Sequence, residues 1–205
     1  MPTRIDLEQR RSEVIEAAFR LLAAEGITGL SLRKVAAESG LNIGSVRHYF
    51  DDHRNLLVAA VTEVGDRMGK RLTRYSTDML VGLDNESAAD ALQDLVEELL
   101  PLDNERRVES IVLIEFIVAA RVNPIFRPVT EKMAADMREV ITHALEVLDV
   151  PEPAEEAERL IAVVGGLILD AVTPHGSLDD ERVRRTLRAH VRSVLVAGRD
   201  GYPPA

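Results

Sequence analysis

Apolar residues in this chain recur every three to four positions rather than every second one, the spacing of helices that bury one stripe. Residues 7–25 place Val14, Ala17, Ala18, Leu21 and Leu22 on one such stripe, with Phe19 off its centre, and Gly26 closes the run. Ser31 is a good N-cap for a second, short helix whose inner face holds Val35 and Ala36. Gly40-Leu41 then breaks the chain, and Asn42 offers the next N-cap. In the third helix Ile43, Val46, Tyr49 and Phe50 form the expected buried stripe, which turns Gly44, Ser45, Arg47 and His48 outward. A fourth helix starts around Asp51-Asp52 and passes through Leu56, Leu57, Ala60, Val61 and Val64 toward Arg74.

The remaining pattern predicts five more helices. Residues 84–100 carry Ala88, Leu92, Leu95, Val96 and Leu99 and stop at Pro101. Residues 104–122 are the most apolar, and Asn123-Pro124 ends them and opens the next helix through Met133, Met137, Val140, Ile141, Ala144 and Leu148. After the turn VPEP an eighth helix covers 154–172, and a ninth, opened by Leu178-Asp179-Asp180, ends near Gly198 with Leu187, Val191, Val194 and Leu195 inward. The first six residues read as a loose arm and the last five, GYPPA, as disordered. The expected fold class is all-α, and the 3% aromatic content agrees with packed helices.

Helix, tight glycine turn, then a helix with a compact, donor-bearing outer face is an arrangement that fits the DNA major groove. An ordinary αα-hairpin is the competing reading of the same residues. What separates the two is the stretch RRSEVIEAAFRLLAAEGITGLSLRKVAAESGLNIGSVRHYFDDHRNLL, which resembles the tetracycline-repressor (TetR) family of transcriptional regulators over about the first sixty residues. The body looks most like the subgroup whose best-known member answers to choline. The resemblance implies a nine-helix architecture, with a helix-turn-helix DNA-binding domain over 1–52 and a ligand-binding and dimerisation domain over 53–205.

Family members commonly carry a lysine three residues after the aromatic that closes the recognition helix, where it meets the DNA backbone. This chain has His53 there, followed by Arg54, and it has Arg47 and His48 where many members carry tyrosines. Asn42, Gly44, Ser45, Arg47 and His48 are therefore expected at the major groove, with Arg33, Lys34, His53 and Arg54 as phosphate contacts, while base preference does not carry over.

Net charge changes the picture only once it is divided. The chain carries −10 overall, yet residues 1–50 hold seven Lys/Arg against six acids, and the rest hold 18 against 29. The acidic excess lies outside the proposed reader, as in a basic head joined to an acidic body. Cysteine is absent, which excludes disulfides and thiolate chemistry. The five histidines, His48, His53, His143, His175 and His190, show no metal-ligand spacing, and no catalytic constellation or cofactor motif is present. No secretory signal is visible, and the longest apolar run, 160–169, falls short of the roughly 20 residues of a membrane span, so a cytoplasmic protein is expected.

The function expected is that of a ligand-responsive regulator, most often a repressor, which binds a palindromic operator as a homodimer and is released by a small molecule. A helical scaffold that binds proteins rather than DNA is the alternative. The dimer is expected through helices eight and nine, at Gly165, Gly166, Leu187, Val191 and Val194, because glycine inside a helix is justified by the close approach of another helix. A kink or packing within one subunit is the other reading. Glu115 is a lone charge in an apolar helix, without a partner among its i±3 and i±4 neighbours. A cation such as Arg121, Arg127 or His143, a raised pKa, or a ligand donor can each compensate it. Since the resemblance implies that helices four to eight enclose the ligand, Glu115 is the expected effector contact, with Phe116, Met133, Met137, His143 and Asp170 as its neighbours.

Overall fold

The computed structural model describes residues 4–75, 77–176 and 179–200. Among them are nine α-helices and no strand: α1 (Arg4–Gly29), α2 (Leu32–Ser39), α3 (Ile43–Tyr49), α4 (His53–Leu72), α5 (Asn85–Glu97), α6 (Asn104–Ala120), α7 (Arg127–Val147), α8 (Pro153–Val172) and α9 (Asp180–Asp200). The all-α, nine-helix expectation is met. None of the described helices is long and apolar enough to cross a membrane. Arg4, Ile5 and Asp6, expected in a loose arm, are instead the first residues of α1, while the expectations for residues 1–3, for Leu178 and for the GYPPA tail lie outside the described residues.

Two compact units emerge. The first joins residues 1–66 to 108–131, and the second joins 67–107 to 132–205. The expected division at 52/53 is thus not where compactness divides the chain. The physical reason is that residues far along the sequence, on α6, pack with the N-terminal helices.

In the first unit α1 buries Val14, Ile15, Ala17, Ala18, Phe19 and Leu22. Phe19 is fully buried rather than off-centre, while Leu21 is only half-buried. A phenylalanine ring taken out of water contributes about 1.5–3 kcal/mol. The helix is interrupted as expected at Gly26, whose φ of +70° suits a residue without Cβ, but it resumes for one more turn. Two short helices follow, too short to persist without caps and packing. Ser31 Oγ accepts from Lys34 N–H at 3.2 Å, and Gly40 ends α2 in the left-handed region with φ +69°. Arg20 on α1 pairs with Glu38 on α2 at 2.6 Å. On α4, Asp52 caps the start by accepting from Asn55 N–H at 2.7 Å, and Leu56, Leu57, Ala60, Val61 and Val64 are buried.

The second unit is bound by arginines that reach helix ends. The last carbonyls of any helix lack partners within it. At the end of α5, Glu98 C=O accepts from Arg71 Nε at 3.2 Å and Glu97 C=O from Arg106 Nη1 at 2.9 Å. Near the end of α8, Ala171 C=O accepts from Arg107 Nη1 at 2.6 Å. Between α5 and α9, Arg188 meets Glu86 at 2.8 Å and Asp90 at 2.5 Å, and Arg184 meets Glu97 at 3.1 Å. Leu187, Val191 and Val194 fill the core beneath this network.

Candidate nucleic-acid interface and ligand clefts

The reading helix is built from its cap outward. Asn42 Oδ1 accepts from Ser45 N–H at 2.8 Å, which satisfies one of the donors that α3 leaves open and fixes where the helix begins. Gly44 sits so close to this cap that a Cβ there would stand 3.1 Å from Asn42 Oδ1. Val46 and Phe50 are buried and anchor the helix, whereas Ile43 is 39% exposed and Tyr49 is half-buried. The expected four-residue stripe is therefore two residues wide, because a seven-residue helix offers only two turns to a core. Arg47 and His48 point outward as expected, and Ser45 is half-buried. His48 stacks edge-on to Tyr49 with ring centroids 5.3 Å apart.

These residues open onto a cleft of about 630 Å³ lined by Gly40, Leu41, Asn42, Gly44, Ser45, His48, Tyr49 and Arg10. Arg10 was not among the expected site residues. Its signal in the sequence is its place, unusual for a cation, near the positive end of a helix. Arg11, one residue on, lies over the Phe50 ring at 5.4 Å and so braces α1 against the end of α3 by a cation–π contact.

The phosphate candidates divide. Arg33, Arg47 and Arg54 are exposed and make no ion pair among the described residues, and His53 is exposed beside them in sequence. Lys34 differs from them, since its ammonium is joined to Glu25 on α1 in a short ion pair. Its charge is partly spent on holding α2 to α1.

Glu115 is half-buried, and its partner is one that no helical-neighbour argument reveals. Its Oε2 accepts from Ile27 N–H at 3.1 Å. That amide is left open by the Gly26 interruption, and a Cβ at Gly26 would stand 3.1 Å from the same oxygen. Glycine is thus required there twice, by its φ and by the approach of the carboxylate. Phe116 is fully buried and packs edge-on against Phe126 with centroids 5.0 Å apart. His143 is exposed and 3.4 Å from Glu146, and Met133, Met137 and Asp170 are half-buried in the second unit. Within the first unit Glu115 is satisfied by the Ile27 amide and Phe116 by the Phe126 ring.

A groove of about 350 Å³ in the second unit has better ligand chemistry. Met79, Leu80, Leu83, Ala91, Leu95 and Val140 form an apolar wall, with Tyr75, Ser87, Asp90 and Asp94 as its polar groups. Asp94 makes no hydrogen bond or ion pair among the described residues. Its pKa is raised, first by loss of hydration and then by the negative charges of Glu97 and Asp90, against which Arg188 acts. Tyr75 is likewise pushed up by burial and by Glu98, to which its hydroxyl donates at 3.4 Å.

At the expected dimer face the residues also divide. Gly165 and Gly166 are exposed, and nothing lies within 4 Å of where their Cβ atoms would be. Leu187 and Val191 are fully buried and Val194 is 3% exposed, so these three belong to the subunit's own core rather than to an outer face. Among the described residues, the large apolar side chains that α8 and α9 leave exposed are Leu169 and Val196.

Comparison with known proteins adds sequence and fold relatives. Residues 14–60 match the family model of bacterial regulatory proteins of the tetR family, and residues 88–196 match that of the BetI-type transcriptional repressor C-terminal domain. The HTH-type transcriptional regulator PksA of Bacillus subtilis is 32% identical over 200 residues, 96% of this chain and 95% of that protein. A transcriptional regulator from Rhodococcus sp. Rha1 superposes with a TM-score of 0.80 at 28% identity, covering 94% of this chain and 99% of that one. A regulator from Saccharomonospora viridis, solved in complex with choline, superposes with a TM-score of 0.77 at 21% identity, covering 90% and 96%.

Proposed function

Given that this chain belongs to the TetR family of transcriptional regulators and carries a BetI-type body, we propose a specific division of labour for its residues. The protein is a ligand-responsive regulator of the repressor kind, and the scaffold alternative is not favoured. Its relatives are transcriptional regulators rather than enzymes. Residues 1–52 act as the reading head and 53–205 as the responding body, and the protein works in the cytoplasm, where its operator is. The observation that carries the reading is the exposed Arg47, which makes no ion pair among the described residues, on a capped helix anchored by Val46 and Phe50.

Asn42, Gly44, Ser45, Arg47 and His48 face the major groove, and Arg10, Arg33, His53 and Arg54 meet phosphates. Two heads are required, because one short helix reads only a few base pairs, and a two-fold dimer matches a palindromic operator. The dimer forms on the open Gly165-Gly166 face of α8, flanked by Leu169. The effector is an organic cation with an apolar part, held in the groove beside Tyr75 with its charge against Asp94. This is supported by a carboxylate without a partner among the described residues at an apolar wall, and by the choline complex of a fold relative. Release follows when the cation prefers the DNA-incompetent arrangement of the dimer, by an amount equal to its differential affinity.

Selection of operators from random DNA, followed by titration with choline as the first probe cation, tests both halves. Arg47→Ala is expected to weaken operator binding by about 1–3 kcal/mol and to relax preference at one position if it reads a base. A phosphate role instead lowers affinity for all sequences and flattens the salt dependence by about one unit. Unchanged affinity removes Arg47 from the interface.

A further inference from the structure

A second cleft in the same unit adjoins the proposed cation groove and has chemistry of the same sign. It encloses about 370 Å³, and Leu80, Leu83, Asn85 and residues 147–150 at the end of α7 are among those that line it. Leu80 and Leu83 also line the groove that holds Asp94, so the two clefts share a wall. Leu80 is buried but Leu83 is only half-buried, and an apolar chain laid over Leu83 takes that surface out of water.

No Lys, Arg or His lines either cleft, although this unit is rich in arginine. What Asp94 is to the groove, Asp149 is to the second cleft. Asp149 is exposed, and its carboxylate makes no hydrogen bond or ion pair among the described residues. Its backbone lies in the left-handed region, with φ +54°, where it ends α7: Val150 N–H donates to Leu145 C=O and Asp149 N–H to Glu146 C=O, each at 3.0 Å. Glycine is the residue such a position ordinarily takes, and aspartate enters it when its side chain finds a local hydrogen bond. None is present at Asp149. The cap therefore does not explain the carboxylate, and unfavourable backbone of this kind persists at ligand sites. The end of α7 acts in the same sense, because the last carbonyls of a helix carry partial negative charge. Four residues on from Val147 stands Pro151, which has no N–H to donate to it.

We propose that the effector is a dication with an apolar spacer, which sets one ammonium at Asp94, lays its methylenes across Leu80 and Leu83, and sets the second ammonium at Asp149 and the end of α7. This rests on the cation reading of the groove and narrows it to a ligand class, the linear diamines. A single cation answers one of the two carboxylates, whereas a diamine makes charge-assisted N–H···O bonds at both.

The experiment is isothermal titration of the full-length protein, without DNA, at constant ionic strength and neutral pH. The probes are putrescine, cadaverine and hexamethylenediamine, each set against the n-alkylamine of equal carbon number, with choline run alongside. One diamine per chain is expected, bound at least about tenfold more tightly than its monoamine at the best length. Since the two carboxylates stand at a fixed separation, this ratio should differ among the three lengths. An equal ratio at all three is bulk attraction to an acidic surface and overturns the proposal. Asp149→Asn and Asp149→Gly are each expected to bring the ratio to about one. Glycine suits the left-handed backbone, so the Tm of Asp149→Gly should not fall, which separates loss of the carboxylate from loss of the fold. A ratio that survives both Asp149 variants overturns the proposal. A parent that binds choline and the monoamines without preferring any diamine overturns the dication and leaves the cation groove standing. Failure of every probe to bind overturns the groove reading itself, and the dication with it.

Discussion

The two compact units use positive charge in opposite ways. In the second, arginines are consumed by structure: Arg106 and Arg107 reach helix-end carbonyls, and Arg184, Arg188 and Arg192 are locked to Glu97, Asp90 and Glu86. In the first, pairing is selective. Arg20 and Lys34 are tied to carboxylates on neighbouring helices, while Arg33, Arg47 and Arg54 are left open to solvent. A near-neutral head does not need many cations to meet DNA. It needs a few that its own acids do not neutralise.

The largest test of this contrast is whether the first unit depends on its distant segment. Phe116→Ala removes a fully buried ring from beside Phe126 and is expected to cost about 3–5 kcal/mol in chemical denaturation, with operator binding lost in step. Operator affinity that survives this substitution would separate the reader from 108–131. Next in size is Glu115→Ala, which strands the Ile27 amide and is expected to cost about 1–2 kcal/mol, whereas Glu115→Gln keeps an acceptor and costs less. Equal losses in the two variants would assign the effect to charge rather than to the hydrogen bond.

On the side of the second unit, Gly166→Leu fills the open face of α8. Light scattering is expected to show a monomer, while the subunit itself gains up to about 1 kcal/mol from better helix propensity. A dimer that persists would move the interface elsewhere. The smallest effect concerns Asp94. Its pKa is raised on folding, so its charge opposes folding above that pKa, and the opposition fades as pH falls through it. A bound cation prefers the ionised form. Choline affinity should therefore climb as pH rises through the acid range and level off above Asp94's titration, and Asp94→Asn should flatten that slope.

What the sequence revealed was whatever depends on short separations. Ser31 and Asn42 cap helices because each side chain reaches an amide three residues on. The outward Arg47 and His48 followed from periodicity alone. Periodicity also says that Leu187, Val191 and Val194 are buried, but not against which surface, and they turned out to fill their own subunit's core rather than an outer face. Ile43 failed because a two-turn helix has too few positions to average out an end effect. The partner of Glu115 lies 88 residues away and is a backbone amide exposed by a glycine, so no spacing rule near Glu115 points to it.

The interleaved first unit also has a consequence in time. Its two segments are separated by residues 67–107, all of which belong to the other unit. At about 5–20 residues per second of synthesis, the first segment, which carries Arg47, is complete roughly 2–8 s before the segment that holds Glu115 and Phe116 starts to follow. During that interval the nascent reader has its helix caps but neither the carboxylate for Ile27 nor the Phe116–Phe126 pair. A chain still on the ribosome therefore holds a first unit that lacks both contacts until α6 has been made.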